Sequence, residues 1–335
     1  MRMKPMIGFL AAALVAGAAH AEVSVSGAIG FESGYNTNSD TGVVYLLDNG
    51  SHISFKGKDK LDGGATLSWE VSSWLGVSDD GSFGSRKAYI RYGTELGSFT
   101  FGRDDSVMRM ATSKYDIFEG YTSLGNILER GATSRPTNQI KYVSPRMGGL
   151  AVAAATIINS SKNGEPKEGY AAGVDYKFND ALNFDVAYSV DVNLQAKDAF
   201  VGKKRETIAA GVNGEFADGF SYGLRYSDYS NRATYSAADV DSWAAGATLA
   251  YASGKNAFRV GYTYASGDSS KDGVEGQLAI VGYTYNLSKQ SYIYTELSSF
   301  INGDNRQSFG EAGPSKEPAL GDSSTTLAVG MVTSF

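Results

Sequence analysis

Residues 181–191 of this chain read ALNFDVAYSVD, and apolar side chains alternate with polar or small ones along the whole stretch. Successive side chains of a β-strand point to opposite faces, so this period of two predicts a strand with one apolar face. A length of about ten residues is typical of a strand that crosses a membrane at a tilt. The apolar face holds Leu182, Phe184, Val186, Tyr188 and Val190, and the other holds Asn183, Asp185, Ala187, Ser189 and Asp191.

The same alternation recurs along the chain and is clearest in residues 220–229, 243–251 and 258–264. The connections between such segments alternate between short and long. The short ones are 59–64, 93–97, 144–149, 179–180, 217–219, 252–256 and 286–290, and the long ones are 32–50, 76–84, 104–134, 159–168, 191–204, 230–241, 265–275 and 301–322. Seven short and eight long connections predict about 16 strands, with tight turns at one end and long loops at the other, as in outer-membrane barrels.

Two architectures accommodate strands of this kind. In a soluble sandwich the apolar faces pack against each other, whereas in a membrane barrel they face lipid and the polar faces line the interior. The polar faces here carry mainly small and charged residues, which suit a water-filled interior better than a dry core. Aromatic residues near strand ends, as membrane-interface girdles require, are Phe178, Tyr188, Phe216, Phe220, Tyr251, Phe258 and Tyr264. We therefore predict an all-β fold, a transmembrane antiparallel β-barrel.

The first 21 residues have the features of a secretory signal peptide. Arg2 and Lys4 form a basic start, residues 6–19 are nearly all apolar, and residues 19–21 read Ala-His-Ala, a small-residue cleavage pattern. Beyond them no apolar run reaches the roughly 18 residues that a spanning helix needs. We expect residues 1–21 to be removed and residues 22–335 to form one barrel domain in the outer membrane of a Gram-negative bacterium, crossing it many times.

Composition excludes several function classes. The chain has no cysteine, which removes disulfides and thiol chemistry, and a formal net charge of −6 without a basic tract argues against nucleic acid as a partner. His52 is the only histidine after residue 21, and by parity it lies on the inner face of its strand. A serine hydrolase of the outer membrane would need its base outside the barrel wall. We expect neither an enzyme nor a metal site nor a cofactor.

The connection 104–134 is about 31 residues long, and loops of this length are usually functional or disordered. Its apolar content predicts that it packs against something instead of extending into solvent. Ser113 and Asp116 fit a capping box and Gly120 a helix stop, which predicts one helical turn over 114–119. The apolar residues of this connection are Tyr115, Ile117, Phe118, Tyr121, Leu124, Ile127 and Leu128.

Four stretches and the last residue carry a resemblance to a known family. They are SHISFKGKDKLDGGATLSWEV (51–71), FGSRKAYIRYGTELGSFTFGR (83–103), RPTNQIKYVSPRMGGL (135–150), YTYNLSKQSYIYTEL (283–297) and the terminal Phe335. In this order they resemble the trimeric general porins of Gram-negative outer membranes, most closely the type found in Neisseria and related proteobacteria. The resemblance implies a homotrimer in which each barrel is a separate water-filled pore.

The resemblance also implies that the third long loop, 104–134, folds inward and narrows the pore. It implies a basic wall facing that loop, made of His52, Arg86 and Arg135, and Lys56 shares their inward parity. His52 is a departure, since the family usually has arginine there, and a mostly neutral imidazole weakens any anion preference. The acidic side facing this wall is predicted to be Asp104, Asp105, Asp116 and Glu119.

These features predict passive diffusion of ions and small hydrophilic solutes, with fixed charges at the narrowest point biasing which ions enter. The alternative is a substrate-specific channel for a sugar or an organic anion, in which Trp74, Tyr115 and Tyr121 form an aromatic track. The arginine wall favours a slight anion preference. The resemblance further implies that Phe335 is read by the barrel-assembly machinery, and that lipid and lipopolysaccharide surround the protein.

Overall fold

The computed structural model describes residues 22–38, 41–76, 83–120, 134–158, 168–192, 204–230, 241–267, 275–303 and 321–335. These residues form seventeen strand segments, one α-helix and one turn of 3-10 helix. They are β1 (Glu22–Asn38), β2 (Thr41–Asp48), β3 (His52–Lys60), β4 (Thr66–Trp74), β5 (Lys87–Thr94), β6 (Gly97–Arg103), α1 (Val107–Thr112), the 3-10 turn (Ser113–Tyr115), β7 (Gln139–Val143), β8 (Leu150–Ile157), β9 (Glu168–Asn179), β10 (Leu182–Val192), β11 (Lys204–Ala217), β12 (Phe220–Ser230), β13 (Ser242–Ser253), β14 (Asn256–Gly267), β15 (Glu275–Asn286), β16 (Ser291–Asn302) and β17 (Ser323–Ser334). The predicted signal peptide, 1–21, lies outside the described residues.

The strands form one closed antiparallel sheet. From β3 to β17 each strand pairs with the next, and β1 closes the ring by pairing with β17 along one half and with β3 along the other. β2 also pairs with β1, so β2 and β3 occupy one position in the wall as an interrupted strand. The seventeen segments therefore make a sixteen-strand barrel, as the sequence predicts.

One predicted connection is wrong. The sequence pattern predicts a long loop over residues 32–50, but most of them belong to the β1–β2 hairpin, which pairs from Phe31 opposite Asp48 to Asn38 opposite Thr41. The period-two signal is weak here because both faces carry small or polar residues near Asn36. The predicted tight turns and the other long connections separate the remaining strands at the expected places.

The two faces of the wall differ in exposure as a barrel in lipid requires. On β10 the side chains of Phe184 and Val186 are 44% and 46% exposed, whereas Asp185 and Ala187 on the opposite face are 3% and 0% exposed. Rings of neighbouring strands touch along the outward face, for example Phe220 against Tyr251 with ring centroids 4.4 Å apart. These contacts form the predicted aromatic girdles. The apolar residues therefore face outward and the polar ones line the interior.

Phe335 lies at the seam where the first and last strands meet. Its backbone N–H donates to the carbonyl of Gly27 at 3.0 Å, and the Gly27 N–H donates to the carbonyl of Phe335 at 2.9 Å. A Cβ at position 27 would lie 2.7 Å from the Phe335 ring, so only glycine leaves room for this packing. The last residue thus completes the ladder that closes the barrel.

The connection after β6 contains α1, which begins seven residues before the predicted turn at 114–119. Ser106 is its N-cap, and the Ser106 hydroxyl accepts a hydrogen bond from the backbone N–H of Arg109 at 3.0 Å. The predicted cap, Ser113, instead ends α1 and begins the 3-10 turn. None of the helical segments among the described residues is long and apolar enough to span a membrane.

Residues 107–120 run along the inner face of the wall. They contact inward-facing side chains of β10, β12, β14 and β16 in turn, through partners such as Asp185, Arg259 and Glu296. The sheet is closed into a ring. A segment as short as residues 107–120 can contact the same face of β10, β12, β14 and β16 only if it lies inside the barrel. Residues 121–133, the rest of the predicted inward loop, lie outside the described part of the chain.

Candidate functional site: the wall and loop inside the barrel

Three of the predicted basic residues meet around one indole ring. Trp74 is the last residue of β4 and lies opposite His52 of β3, so both face inward. The guanidinium carbon of Arg86 lies 5.0 Å from the centroid of the Trp74 ring, and that of Arg135 lies 5.8 Å from it. The His52 ring meets the indole edge-on, with centroids 6.2 Å apart. A guanidinium over an indole is attracted by the ring quadrupole, so Trp74 holds the two arginines together.

Lys56, the fourth predicted basic residue, lies four residues after His52 on the inward face of β3. It is exposed, and it lies opposite Glu70 of β4, whose carboxylate also accepts a hydrogen bond from the Tyr89 hydroxyl at 3.0 Å. Lys56 therefore lines the same wall as the Trp74 group but does not belong to it.

Asp104 begins the connection and lies among cations instead of facing them. Its side chain is 3% exposed, and its carboxylate forms salt bridges with Lys141 at 2.8 Å, Arg91 at 3.0 Å and Lys87 at 3.2 Å. The barrel register explains this meeting, because Arg91 and Lys141 flank Thr100 on adjacent strands. The chain leaves β6 directly above this pair, and Asp104 is the first residue that can reach both.

Asp105 completes the same network, which we call the root cluster. Its carboxylate lies 2.7 Å from Lys87 Nζ and 2.8 Å from Arg135 Nε. Arg109 of α1 adds a third contact at 3.3 Å. The prediction that Asp104 and Asp105 face the basic wall from the opposite side is wrong, because both are counter-ions within it.

The root cluster lowers the pKa of both acids below their ordinary value of 3.8. For Asp104, burial alone would raise the pKa, but the adjacent Lys141 and Lys87 outweigh it. For Asp105, burial is likewise outweighed by Lys87 and Arg135. A depressed pKa means that this stabilisation is fully present above the unfolded-state pKa and is lost as the pH falls through the folded-state pKa.

Because the pKa of Asp104 is lowered in the folded state, the variant Asp104→Asn should lose stability at neutral pH. The amide keeps the shape of the side chain but removes its charge, so we expect the free energy of unfolding at pH 7 to fall by about 2 kcal/mol. The gap between wild type and variant should stay constant down to about pH 4 and close at lower pH. Urea unfolding in detergent micelles at several pH values measures it. Asp62→Asn, at an exposed residue of the β3–β4 turn, is the control, and a gap that closes between about pH 7 and pH 5 would contradict the assignment.

The middle of the loop is fastened to the wall by Tyr115. Its side chain is 1% exposed, and its hydroxyl donates a short hydrogen bond to the carboxylate of Asp185. Burial, followed by this hydrogen bond, raises the pKa of Tyr115. The ring fits against Gly211 and Gly223, where an added Cβ would lie 2.2 Å and 2.9 Å from its atoms. Tyr115 is therefore an anchor and cannot form part of an aromatic track for solutes.

Arg225 lies behind this anchor. Its side chain has no exposed surface, and its guanidinium lies 3.3 Å from the Asp185 carboxylate and 5.2 Å from the centroid of the Tyr115 ring. It also donates to the backbone carbonyl of Ala111 at 3.3 Å. Lys114 adds a salt bridge to Asp185 at 3.0 Å. One wall carboxylate thus holds two loop side chains and one buried arginine.

The apolar face of α1 docks on a patch of wall made of small residues. Val107 and Met108 are 2% and 3% exposed, and burying side chains of this size contributes about 1.5–3 kcal/mol each. At Gly173 a Cβ would lie 2.8 Å from Val107, so the helix approaches the backbone closely. The wall residues packed against α1 are Ala153, Ala155, Ala171, Ala187 and Ala209.

Glu119 reaches a different part of the wall. Its carboxylate pairs with Arg259 of β14 at 2.7 Å and accepts a hydrogen bond from the Tyr292 hydroxyl at 2.8 Å. The carboxylate of Glu296 accepts from the backbone N–H groups of Glu119 and Gly120 at 2.8 Å and 3.0 Å. Glu32, 1% exposed, accepts from Tyr294 at 2.8 Å. We call Glu32, Glu119 and Glu296 the tip cluster.

The four predicted acids therefore do not form one group. Asp104 and Asp105 belong to the root cluster, Glu119 belongs to the tip cluster, and Asp116 follows the 3-10 turn between them as a half-buried residue. The residues that the sequence reasoning missed are Glu32, Lys87, Arg91, Lys141, Asp185, Arg225, Arg259 and Glu296. The signals that could have found them are inward parity along each strand and the run of inward alanines on β8–β11 that receives α1. Among the described residues, no group of three or more acidic or histidine side chains is placed to hold a metal ion.

A closed sixteen-strand barrel with a polar interior and a loop docked on its inner wall defines a β-barrel channel protein. The sequence matches the family model of the Gram-negative porins over residues 8–305, and the chain belongs to that family. Membership indicates a channel instead of an enzyme. The major outer membrane protein P.IB of Neisseria meningitidis serogroup A is 28% identical over 186 residues, covering 52% of this chain and 55% of that protein. The chain thus spans about half the length of the curated relatives it matches, and the resemblance to Neisseria-like porins is confirmed.

Solved structures share the fold over nearly the whole chain. An anion-selective porin from Comamonas acidovorans superposes with a TM-score of 0.80 at 16% identity, covering 94% of this chain and 100% of that one. The trimer form of OmpT, an outer membrane protein of Vibrio cholerae, gives 0.71 at 16% identity, with 93% and 99% covered. At such identities the likeness concerns the fold alone.

Proposed function

We propose that the protein is a general diffusion porin of the Gram-negative outer membrane, through which ions and small hydrophilic solutes pass passively. The observation that carries this proposal is the docked loop. The barrel interior is polar, and residues 107–120 are held against it by Asp185, Arg225, Glu296 and the small-residue patch. A firmly held segment inside a water-filled barrel sets a constant width, which is what a size-limited passive pore requires. The described part of the connection, residues 104–120, narrows the pore in this proposal.

The charges favour weak anion preference. Arg86 and Arg135 lie in the lumen at the level of the root cluster with Lys56 nearby, and low-dielectric walls strengthen the field of such groups. Asp104 and Asp105 offset part of this charge, and the tip cluster places acids farther along the wall. The overall formal charge of −6 says little about the constriction because it sums residues on every surface.

The assembly is a homotrimer. The outward faces of β16 and β17 carry no aromatic residue, unlike the girdled strands β9–β14, and present exposed Leu297, Leu327, Val329 and Met331. Across β1 they continue to Val44 and Leu46 of β2, which are 76% and 73% exposed. This surface is mainly aliphatic, with the exposed Phe31 and Tyr35 of β1 lying opposite Met331 and Leu327, and an apolar patch of this kind supports contact with another subunit.

The remaining surroundings follow from the same function. Lipid and lipopolysaccharide cover the girdled part of the wall, and residues 1–21 are removed during export. Phe335 follows β17, the last strand, and lies at the seam where β17 pairs with β1. This position supports its role as the signal for the barrel-assembly machinery. The alternative, a channel specific for an organic anion, is favoured only by the exposed Trp74 beside two arginines.

Deletion of residues 113–120 tests the proposal. We expect the variant to keep the barrel and to conduct more current per channel, because the deletion removes both the Tyr115 anchor and the segment held by the tip cluster. Single-channel recording in planar bilayers measures the change, and sieving of uncharged polyethylene glycols measures the pore width. Wild-type protein should give steady channels with current that rises linearly with voltage.

A matched control is deletion of an equally long part of another connection, residues 304–311, which removes neither Tyr115 nor any other residue of 107–120. It should leave conductance unchanged. If the deletion of 113–120 leaves the single-channel conductance at the wild-type value, the loop does not set the pore width.

A further inference from the structure

Arg86 differs from its neighbours Lys87 and Arg135 in its pairing. Among the described residues, no carboxylate lies within salt-bridge distance of its guanidinium, and its Nε is buried without a hydrogen-bond partner. Lys87, the next residue, by contrast pairs with both acids of the root cluster. Burial, and then the adjacent Arg135, lower the pKa of Arg86 from its ordinary value of 12.5. Arg86 is half-buried and has no carboxylate partner among the described residues, so its guanidinium is available to bind an anion.

Trp74 supplies a second, independent feature beside it. The indole faces the lumen and remains 39% exposed, although it contacts Arg86, Arg135 and His52. A large apolar ring left partly in water contributes more when a flat partner covers it. An inorganic anion would pair with the guanidinium of Arg86 and leave the indole of Trp74 exposed to water. A neutral sugar would cover the ring and accept hydrogen bonds from the guanidinium but would not neutralise its charge.

We propose that Trp74 and Arg86 form a binding site for small planar organic anions, with aromatic carboxylates of the benzoate type as the chemical class. The carboxylate binds the planar fork of Arg86, whose geometry matches two oxygens, and the ring lies against Trp74. Arg135 adds charge and His52 borders the indole. The inference rests on the proposed function, because the ligand reaches this site only through an open pore.

The site explains how a passive pore can favour one solute class without a track of aromatic residues. Tyr115 is buried against Gly211 and Gly223 and is not available for stacking. A single ring beside a single unpaired guanidinium gives weak, fast binding. The bound organic anion therefore reduces the chloride current reversibly without closing the channel.

Ion current through reconstituted wild-type channels in KCl, titrated with sodium benzoate, tests the site. Cyclohexanecarboxylate is the matched probe, since it has the same charge and a similar size but no flat ring. We expect benzoate to reduce the current saturably, at concentrations about 3- to 10-fold lower than cyclohexanecarboxylate. Trp74→Leu should remove that preference, and Arg86→Gln should weaken both probes.

Trp69→Leu is the control for Trp74, because it removes an indole from the outward face of the same strand; it should keep the wild-type preference for benzoate. Trp74→Phe provides a milder variant with a ring, and it should keep part of the preference. Equal block by both probes in wild type, or an unchanged preference in Trp74→Leu, would overturn the site. Channels that conduct KCl without benzoate block would overturn the site alone. Protein that inserts without conducting KCl would overturn the proposed function as well.

Discussion

Replacing Asp185 with alanine is expected to lower the free energy of unfolding by about 3–5 kcal/mol and to make the channel current noisy. Asp185 is the carboxylate partner of Arg225, and both side chains are almost fully buried, at 1% and 0% exposure. Its removal leaves a buried guanidinium without its carboxylate and the Tyr115 hydroxyl without its acceptor. The anchor in the middle of the loop is then lost, so residues 107–120 should move on and off the wall.

Two measurements separate the effects on stability and on the loop. Urea unfolding followed by tryptophan fluorescence gives the free energy, and single-channel recording gives the open-state noise and mean conductance. Asp62→Ala, at an exposed residue of the β3–β4 turn, should change neither quantity. Asp185→Asn should retain part of the contact with Tyr115 and lie between wild type and alanine. A quiet, wild-type channel in Asp185→Ala would show that the other contacts of α1 and the tip cluster hold the loop by themselves.

The second large effect is expected from removing both lumen arginines. The double variant Arg86→Gln/Arg135→Gln removes two positive charges from the constriction. A change of about one kT in the electrostatic energy of a monovalent ion there has opposite signs for anions and cations. We therefore expect the anion-to-cation permeability ratio to fall by ~5-fold or more. The reversal potential in a KCl gradient should move toward the cation side, more strongly at about 0.1 M than at about 1 M salt because screening is weaker there.

The single variants and a distant charge provide the comparison. Arg86→Gln should have the larger single effect, because Arg86 has no carboxylate within salt-bridge distance among the described residues, whereas Arg135 shares Asp105. Lys177→Gln removes a cation near the turn end of the wall, where it pairs with Asp180 at 2.6 Å, and should leave the reversal potential unchanged. An unchanged potential in the double variant would place the selectivity filter elsewhere in the pore.

Part of the site can be predicted from local sequence patterns. Alternation over segments such as 181–191 places each side chain on one face, because a strand has a period of two whatever surrounds it. That is why parity predicts that His52 and Lys56 lie on the inner wall. The roles of Arg86 and Arg135 are predicted through the resemblance to a family, and the structure places both residues just before strands, Arg86 before β5 and Arg135 before β7.

Other parts depend on where the loop goes. The sequence predicts that Asp104 and Asp105 face the arginines. No local pattern indicates the direction that the chain takes after Arg103, so their actual partners could not be predicted. In the structure it turns onto Arg91 and Lys141, so the acids become counter-ions. The predicted position of the helix is wrong for a similar reason. Ser113 and Ser106 are both acceptable caps by propensity, and the alanine wall that packs on Val107 and Met108 favours the earlier one.

The amino-acid sequence by itself determined the sixteen-strand barrel, its inward and outward faces and the presence of one long apolar loop, because these follow from local periodicity and from the length of connections. Only the tertiary structure decided which charges pair. Tyr294 and Glu32 are 262 residues apart and meet through barrel closure, as Asp185 and Arg225 meet through strand register. Contacts between distant residues depend on closure, register and the path of the loop, and none of these is encoded in a local pattern.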